Sequence, residues 1–293
     1  SHLGVDCPNP LVIAVSNSGT GARVAESVER ARKYGCYVLG VTGNIDSPLG
    51  RNSDKILKLD IPSFEGAPGT RSYMVSVMSL LLLAIRFGEV RMNYTMDTAM
   101  AYREEMRRQG KELERMLPAM AEICYKVAEE WKDMPCYDFV GGGFDYAAAW
   151  FGQAKILEAT GKFAMHINTE EWFHLNFFAR DARHMGTVVV ANTTNPAHSR
   201  SKELVKYANV LHRPLVVITD GDASDFDGEE ATYIKVPRPE AQILMPLTHF
   251  APVCLIAAYL AELIGEKYGR GCEGDWSFAR GGAGVTNSEI IVD

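Results

Sequence analysis

Three apolar runs, LVIAV (residues 11–15), CYVLGVT (36–42) and KILKLDI (55–61), each end in turn residues and alternate with stretches of helical periodicity. That is the βα rhythm of a parallel sheet. Residues 71–92 then read as an apolar, buried helix, and 97 to about 133 as a charged, amphipathic connector interrupted by Pro118. The rhythm restarts with YDFVGG (137–142), a helix in DYAAAWFGQAKILEAT, and strands KFAMHIN, TVVVAN (187–192) and PLVVITD (214–220). The pattern predicts an α/β chain of two tandem units, each a parallel sheet flanked by helices. Their expected bounds are 1–95 for the first unit, 96–135 for the connector, 136–270 for the second unit and 271–293 for a tail.

Composition narrows the function classes. With 47% hydrophobic and 23% charged residues the chain reads as an ordinary globular protein, and its 293 residues suffice for a sizeable core. The net charge of −7 argues against a broad nucleic-acid surface. Six cysteines (7, 36, 124, 136, 254, 272) are scattered without the paired spacing of zinc or redox sites, so a reduced, cytoplasmic setting without metal is expected. No secretory signal opens the chain. The longest apolar stretch, Met74–Ile85, is broken by two serines and reads as too short to span a bilayer, so no membrane partner is expected.

The chemistry-bearing segment is LVIAVSNSGTG (11–21), where an apolar run stops at hydroxyls, an amide and glycines. A strand over Leu11–Val15 delivers Ser16, Asn17, Ser18 and Thr20 to the mouth of a sheet, and the next segment starts a helix whose unpaired N–H groups face the same place. Hydroxyls and a helix N-terminus bind a dianion without a lysine. The ordinary alternative is a Ser or Thr helix cap.

The segment from Val15 to Pro62 resembles the core of a sugar-isomerase (SIS) domain, in which a strand, an S-x-S-G-x-T loop, a helix and a second strand bind a phosphosugar. EGAPGTRSY (65–73) is similar to the family's glycine- and threonine-rich segment. GGGFDYAAAWFGQAKILEATGKFAMHINTEEWFH resembles the second SIS unit of the isomerase half of glucosamine-6-phosphate synthase and of fructosamine-6-phosphate deglycases. Lys155–Glu158 matches the family's K-x-x-E, and Glu171–His174 its E-x-x-H, with Glu158 and His174 sixteen positions apart. The resemblance implies two tandem three-layer SIS domains of flavodoxin-like type, the first shortened at its N-terminus. It further implies that Glu158 moves a proton between adjacent sugar carbons and that His174 helps open the sugar ring. A homodimer with active sites at the subunit interface is implied as well.

Elementary chemistry is compatible with these roles, since aldose–ketose interconversion uses a base near the carbon acid and a group that exchanges a proton with ring oxygen. Taken alone, Glu158 reads as an exposed helix-end glutamate before it reads as a base, and His174 reads equally as a packed histidine in an aromatic segment. Glu171 either orients His174 or caps the next helix. His166 reads as structural, and His184, His198, His212 and His249 show no partner spacing.

Some positions depart from the family pattern. Thr20 precedes Gly21 where the family places its threonine one residue later, and Asn17 replaces a glutamine. The loop NTTNPAHSR (192–200) lacks S-x-S-G, which implies one phosphate site per chain. Ser288 falls about where the synthase has its Schiff-base lysine, and the last lysine here is Lys267. Glycines 281, 282 and 284 fit a flexible lid or a crossing loop.

The expectation is a cofactor-free phosphosugar enzyme resembling the fructosamine-6-phosphate deglycases. Glu158, His174 and Glu171 are its catalytic candidates, and Ser16, Asn17, Ser18 and Thr20 would hold the phosphate. An aldose–ketose isomerase or amino-sugar phosphate deaminase would use the same pair. A non-catalytic phosphosugar sensor would need only the loop.

Overall fold

The computed structural model describes residues 9–62 and 69–292, so the first four residues of EGAPGTRSY lie outside the described residues. The chain divides into two compact units, residues 1–80 with 271–293, and residues 81–270.

In the first unit, β1 (Leu11–Val15), α1 (Ala22–Lys33), β2 (Tyr37–Thr42), α2 (Pro48–Arg51) and β3 (Lys55–Lys58) follow in order. The strands form a parallel sheet in the order β1-β2-β3, with Val12 opposite Val38 and Gly40 opposite Ile56. Ala22, Ala25, Val28 and Ala31 recur every third position and make the buried stripe of α1. Val28 and Ala31 of this stripe pack with Cys36, Val38 and Leu49. Among the described residues β1 pairs only with β2, and its Leu11 and Ile13 are exposed.

The C-terminal residues of this unit lie along α1. The Ala22 amide donates to the Val285 carbonyl at 3.0 Å. Arg23 Nη2 donates to Ser288 Oγ at 2.7 Å, and Arg30 Nη2 to the Ile291 carbonyl at 2.6 Å.

α3 (Thr70–Val90) differs from the expected buried helix. Its buried residues are Leu81, Ile85 and Gly88, a single stripe, while Met74, Leu82, Phe87 and Val90 are exposed. The helix also extends beyond the apolar stretch to 21 residues, because the serines that break the hydropathy pattern do not break backbone hydrogen bonding. By length and composition alone, Thr70–Val90 and Gln242–Leu263 are apolar enough to cross a membrane, although the latter is mostly buried.

The second unit begins its regular structure with the end of α3 and continues through α4 (Met96–Trp131), capped by Thr95, whose hydroxyl accepts the Thr98 amide at 3.3 Å. Pro118 does not interrupt α4 as expected; it removes one N–H while packing carries the helix through. Then follow β4 (Cys136–Gly141), α5 (Asp145–Thr160), β5 (Phe163–Asn168), α6 (Thr169–His174), β6 (Met185–Val190), α7 (His198–Val210), β7 (Leu215–Thr219), β8 (Thr232–Lys235) and α8 (Ala251–Leu263).

All five strands are parallel, in the order β5-β4-β6-β7-β8. Both faces are covered, which is why the central strands read as continuous apolar runs. On one face, Val127, Trp131, Ile156, Val253 and Ile256 from α4, α5 and α8 pack on Phe139, Val188 and Ile218. On the other, Trp172, Leu204, Val205 and Phe226 pack on Val140, Val189 and Val217.

Candidate functional site

The β1–α1 loop has the form of an anion cradle. Gly19 takes a left-handed φ of 65°, and a Cβ there would lie 2.0 Å from Ser47 Oγ, so only glycine fits. The Asn17 carbonyl is pinned to the end of β2, accepting from the Gly43 amide at 2.9 Å and Thr42 Oγ1 at 3.1 Å. Ser16 Oγ accepts the Gly19 amide at 3.2 Å. Thr20 Oγ1 donates to Ser18 Oγ at 3.0 Å, so these two hydroxyls stand together despite the shifted threonine position. Asn17 and Ser18 are exposed, and Ser16 and Thr20 half-buried. α1 starts from Gly21 with no side-chain cap and no acid in its first turn, so no carboxylate competes for its positive end, although the Val285 carbonyl already takes the Ala22 amide.

The equivalent loop of the second unit, between β6 and α7, is occupied by the protein's own carboxylates. Asp145 accepts from the Asn192 amide at 3.0 Å and from Asn195 Nδ2 at 2.8 Å. Asp220 accepts from the Thr193 amide at 2.8 Å and from its hydroxyl at 3.0 Å. Burial pushes the Asp220 carboxyl up, but the Thr193 bonds and Arg238, 2.7 Å away, outweigh it and hold it below the usual range.

Glu158 lies near the end of α5, where Gly161 closes the helix at φ 71° and Arg270 donates to the Leu157 and Glu158 carbonyls at 3.3 and 2.8 Å. Its side chain is 42% exposed and pairs with the ammonium of Lys155, which is itself buried 5.0 Å from the Phe151 ring centre.

His174 ends α6, whose first turn is capped by Asn168 accepting from the Glu170 amide at 3.0 Å. The imidazole is 64% exposed, with Nε2 3.3 Å from Glu170 Oε1. Glu170, in turn, accepts from Arg200 at 2.7 Å, and the guanidinium lies 3.6 Å over Phe173. Arg200 first, and His174 after it, hold the Glu170 carboxyl below its ordinary range. The partner of His174 is therefore Glu170; Glu171 is exposed beside it and its carbonyl accepts the Leu175 amide at 3.1 Å.

α5 packs on one face of the sheet and α6 on the other, so Glu158 and His174 flank the edge strand β5 with the sheet between them. Their side chains have separate partners, Lys155 for Glu158 and Glu170 for His174. His166 instead joins a surface aromatic group, stacked on Trp150 at 5.0 Å and beside Tyr146 at 5.3 Å. His249 is buried, with Nδ1 2.9 Å from Asn192 Nδ2.

A parallel α/β chain with a hydroxyl-rich loop after its first described strand defines the class, and residues 4–86 match the SIS domain. Over most of its length the chain is similar to glutamine–fructose-6-phosphate aminotransferases [isomerizing]. It is 29% identical over 260 residues to that enzyme of Pseudomonas putida, covering 88% of this chain and 42% of the relative. The chain thus spans about two-fifths of the length of the curated relatives it matches. Among solved structures, the C-terminal domain of glucosamine-fructose-6-phosphate aminotransferase from Francisella tularensis superposes with a TM-score of 0.79 at 18% identity, covering 89% of this chain and 75% of that one. Tagatose-6-phosphate ketose/aldose isomerase from Escherichia coli gives 0.69 at 15% identity, covering 98% and 74%. At these identities the structural likeness defines the fold.

Proposed function

We propose that this chain is a phosphosugar enzyme of double-SIS, homodimeric construction that releases glucose 6-phosphate and a free amine from a fructosamine 6-phosphate. The observation that carries the reading is the β1–α1 loop, with the Ser16, Ser18 and Thr20 hydroxyls at a helix start that has no side-chain cap. Ser16, Asn17, Ser18 and Thr20 would hold the phosphate. The substrate opens with help from His174, and Glu158 takes a proton from carbon 1 and returns it at carbon 2. The ketosamine thereby becomes an aldimine with no net redox change, and water splits it into the aldehyde of glucose 6-phosphate and the amine. The substrate's own carbonyl and nitrogen delocalise the charge, so the reading calls for no cofactor. Because α5 and α6 lie on opposite faces, Glu158 and His174 act on one substrate when supplied by different copies of the chain.

Ser288 favours this reaction over glutamine-dependent amination. Where the resembling synthase places a lysine, Ser288 here accepts from Arg23 at 2.7 Å and offers no amine for a Schiff base.

The test is glucose 6-phosphate release from a panel of phosphorylated fructose–amino acid conjugates by wild type, Glu158→Gln and His174→Ala. Release by wild type and its loss in both variants support the deglycase. Conversion of fructose 6-phosphate with no activity on the conjugates replaces it with an isomerase. Tight sugar-phosphate binding by all three without turnover makes the chain a sensor.

A further inference from the structure

Asp138 is a charged residue in the middle of β4, opposite Met165 of β5 and Thr187 of β6, and it is fully buried. The proposed proton transfer does not use it. Its Oδ2 accepts Trp172 Nε1 at 2.9 Å and Arg213 Nη1 at 3.2 Å, and its Oδ1 accepts Asn176 Nδ2 at 2.7 Å. Trp172 and Asn176 are the residues two before and two after His174. Arg213, also without solvent exposure, donates to Thr187 Oγ1 at 3.1 Å and to the Asn176 carbonyl, and lies 5.2 Å from the Trp172 ring centre.

A buried ion pair is a poor way to stabilise a core, because desolvation offsets most of its attraction and apolar packing does as well. What this pair supplies is placement. The backbone around His174 is irregular: α6 ends there, Leu175 sits at φ −126° and ψ −72°, and a short 3₁₀ turn covers Asn176–Phe178. Helix propensity does not fix such a turn against the sheet. One carboxylate gripping both flanks does, and the imidazole between them is left projecting outward.

The geometry points to Asp138 as the positioning residue of the His174 turn, acting through Trp172 and Asn176, with Arg213 holding the carboxylate in place. The catalytic part of this inference rests on the proposed role of His174.

Trp172→Phe keeps an aromatic side chain while removing the Nε1–H donor together with the five-membered half of the indole, and Asn176→Ala removes the other grip. Both are compared with wild type and His174→Ala after thermal unfolding has confirmed that each is folded at the assay temperature. The first readout is the imidazole signal of His174 in ¹H–¹⁵N spectra, assigned by its absence in His174→Ala. Broadening or splitting of that signal in either folded variant, with His184 unchanged as an internal reference, is expected. An unchanged His174 signal in both overturns the proposal, whatever the reaction is. The second readout is a kinetic cycle on the active conjugate. Trp172→Phe should lower kcat about tenfold with little change in KM, and the loss should vanish in the His174→Ala background. A loss that persists there means a general structural effect and overturns the positioning role. Wild-type rates in His174→Ala itself would instead overturn the function proposed for His174, while the imidazole signal would still decide whether Asp138 positions the turn.

Discussion

Glu170 Oε1 lies 3.3 Å from His174 Nε2, one helical turn back along α6, and the same carboxylate is bonded to Arg200 of α7. The imidazole is thus held by an acid that is itself anchored to a neighbouring helix. Groups that orient a functional histidine typically contribute 10- to 100-fold to its performance at metal sites, and a comparable dependence is expected here. Glu170→Gln should lower kcat by about tenfold on that scale. In the His174→Ala background the same change should have no further effect. A full rate in Glu170→Gln would remove Glu170 from the site.

The placement of Glu158 and His174 on opposite faces leads to a complementation experiment. Glu158→Gln and His174→Ala, each inactive alone, are mixed under subunit exchange. In the proposed homodimer half of the pairs formed are hybrids, each retaining one intact site of two, so about a quarter of wild-type activity should return. Failure to recover activity, with exchange verified by mass-tagged subunits, argues that each site is built from one chain.

Loop variants separate binding from folding. Ser18→Ala removes the hydroxyl to which Thr20 donates and should weaken phosphosugar affinity about tenfold, the value of one hydrogen bond to a charged group. Thermal stability should be nearly unchanged, because Ser18 is exposed. Gly19→Ala should lower both, by about 1–3 kcal/mol in stability, since it forces a left-handed backbone and a collision with Ser47. Titration calorimetry with glucose 6-phosphate and a melting curve distinguish the two; equal behaviour would argue against the cradle.

Asp220 gives a pH dependence with a defined sign. Its carboxyl titrates below its ordinary value of 3.8 in the folded chain, so its contribution is complete above that value and is lost as pH falls through the depressed one. Asp220→Asn should therefore destabilise by about 1–3 kcal/mol near neutrality. The gap from wild type should close below pH 3.8 in denaturant titrations. A constant gap down to pH 2 would contradict the depressed titration.

Much of the fold is legible because parallel strands buried on both faces leave uninterrupted apolar runs, as in TVVVAN and PLVVITD. β8 is not: its four residues TYIK sit at the sheet edge with only partial burial and carry little signal. The loop at Ser16–Thr20 is readable as a local motif, since its geometry depends on a few adjacent residues. The partner of His174 is not, because Glu170 and Glu171 both lie within one turn of it and a guanidinium thirty positions downstream decides between them. Asp138 offers a usable signal, a lone acid inside the apolar run YDFVGG, which demands buried partners. Trp172, Asn176 and Arg213 as those partners emerge only from the tertiary structure.

The first unit is assembled from both ends of the chain, with the Val285 carbonyl on the Ala22 amide and Ser288 and Ile291 on the arginines of α1. During synthesis, β1, α1 and β2 therefore leave the ribosome long before the strand of chain that completes their helix. At about 5–20 residues per second, the interval is on the order of ten seconds or more. Through that interval the hydroxyl loop exists without its tail contacts, and the second unit has time to fold first. Full protection of α1 against hydrogen exchange is thus a late event in the life of a nascent chain, and loss of the segment from Val285 onward would expose the loop helix while leaving the five-stranded sheet untouched.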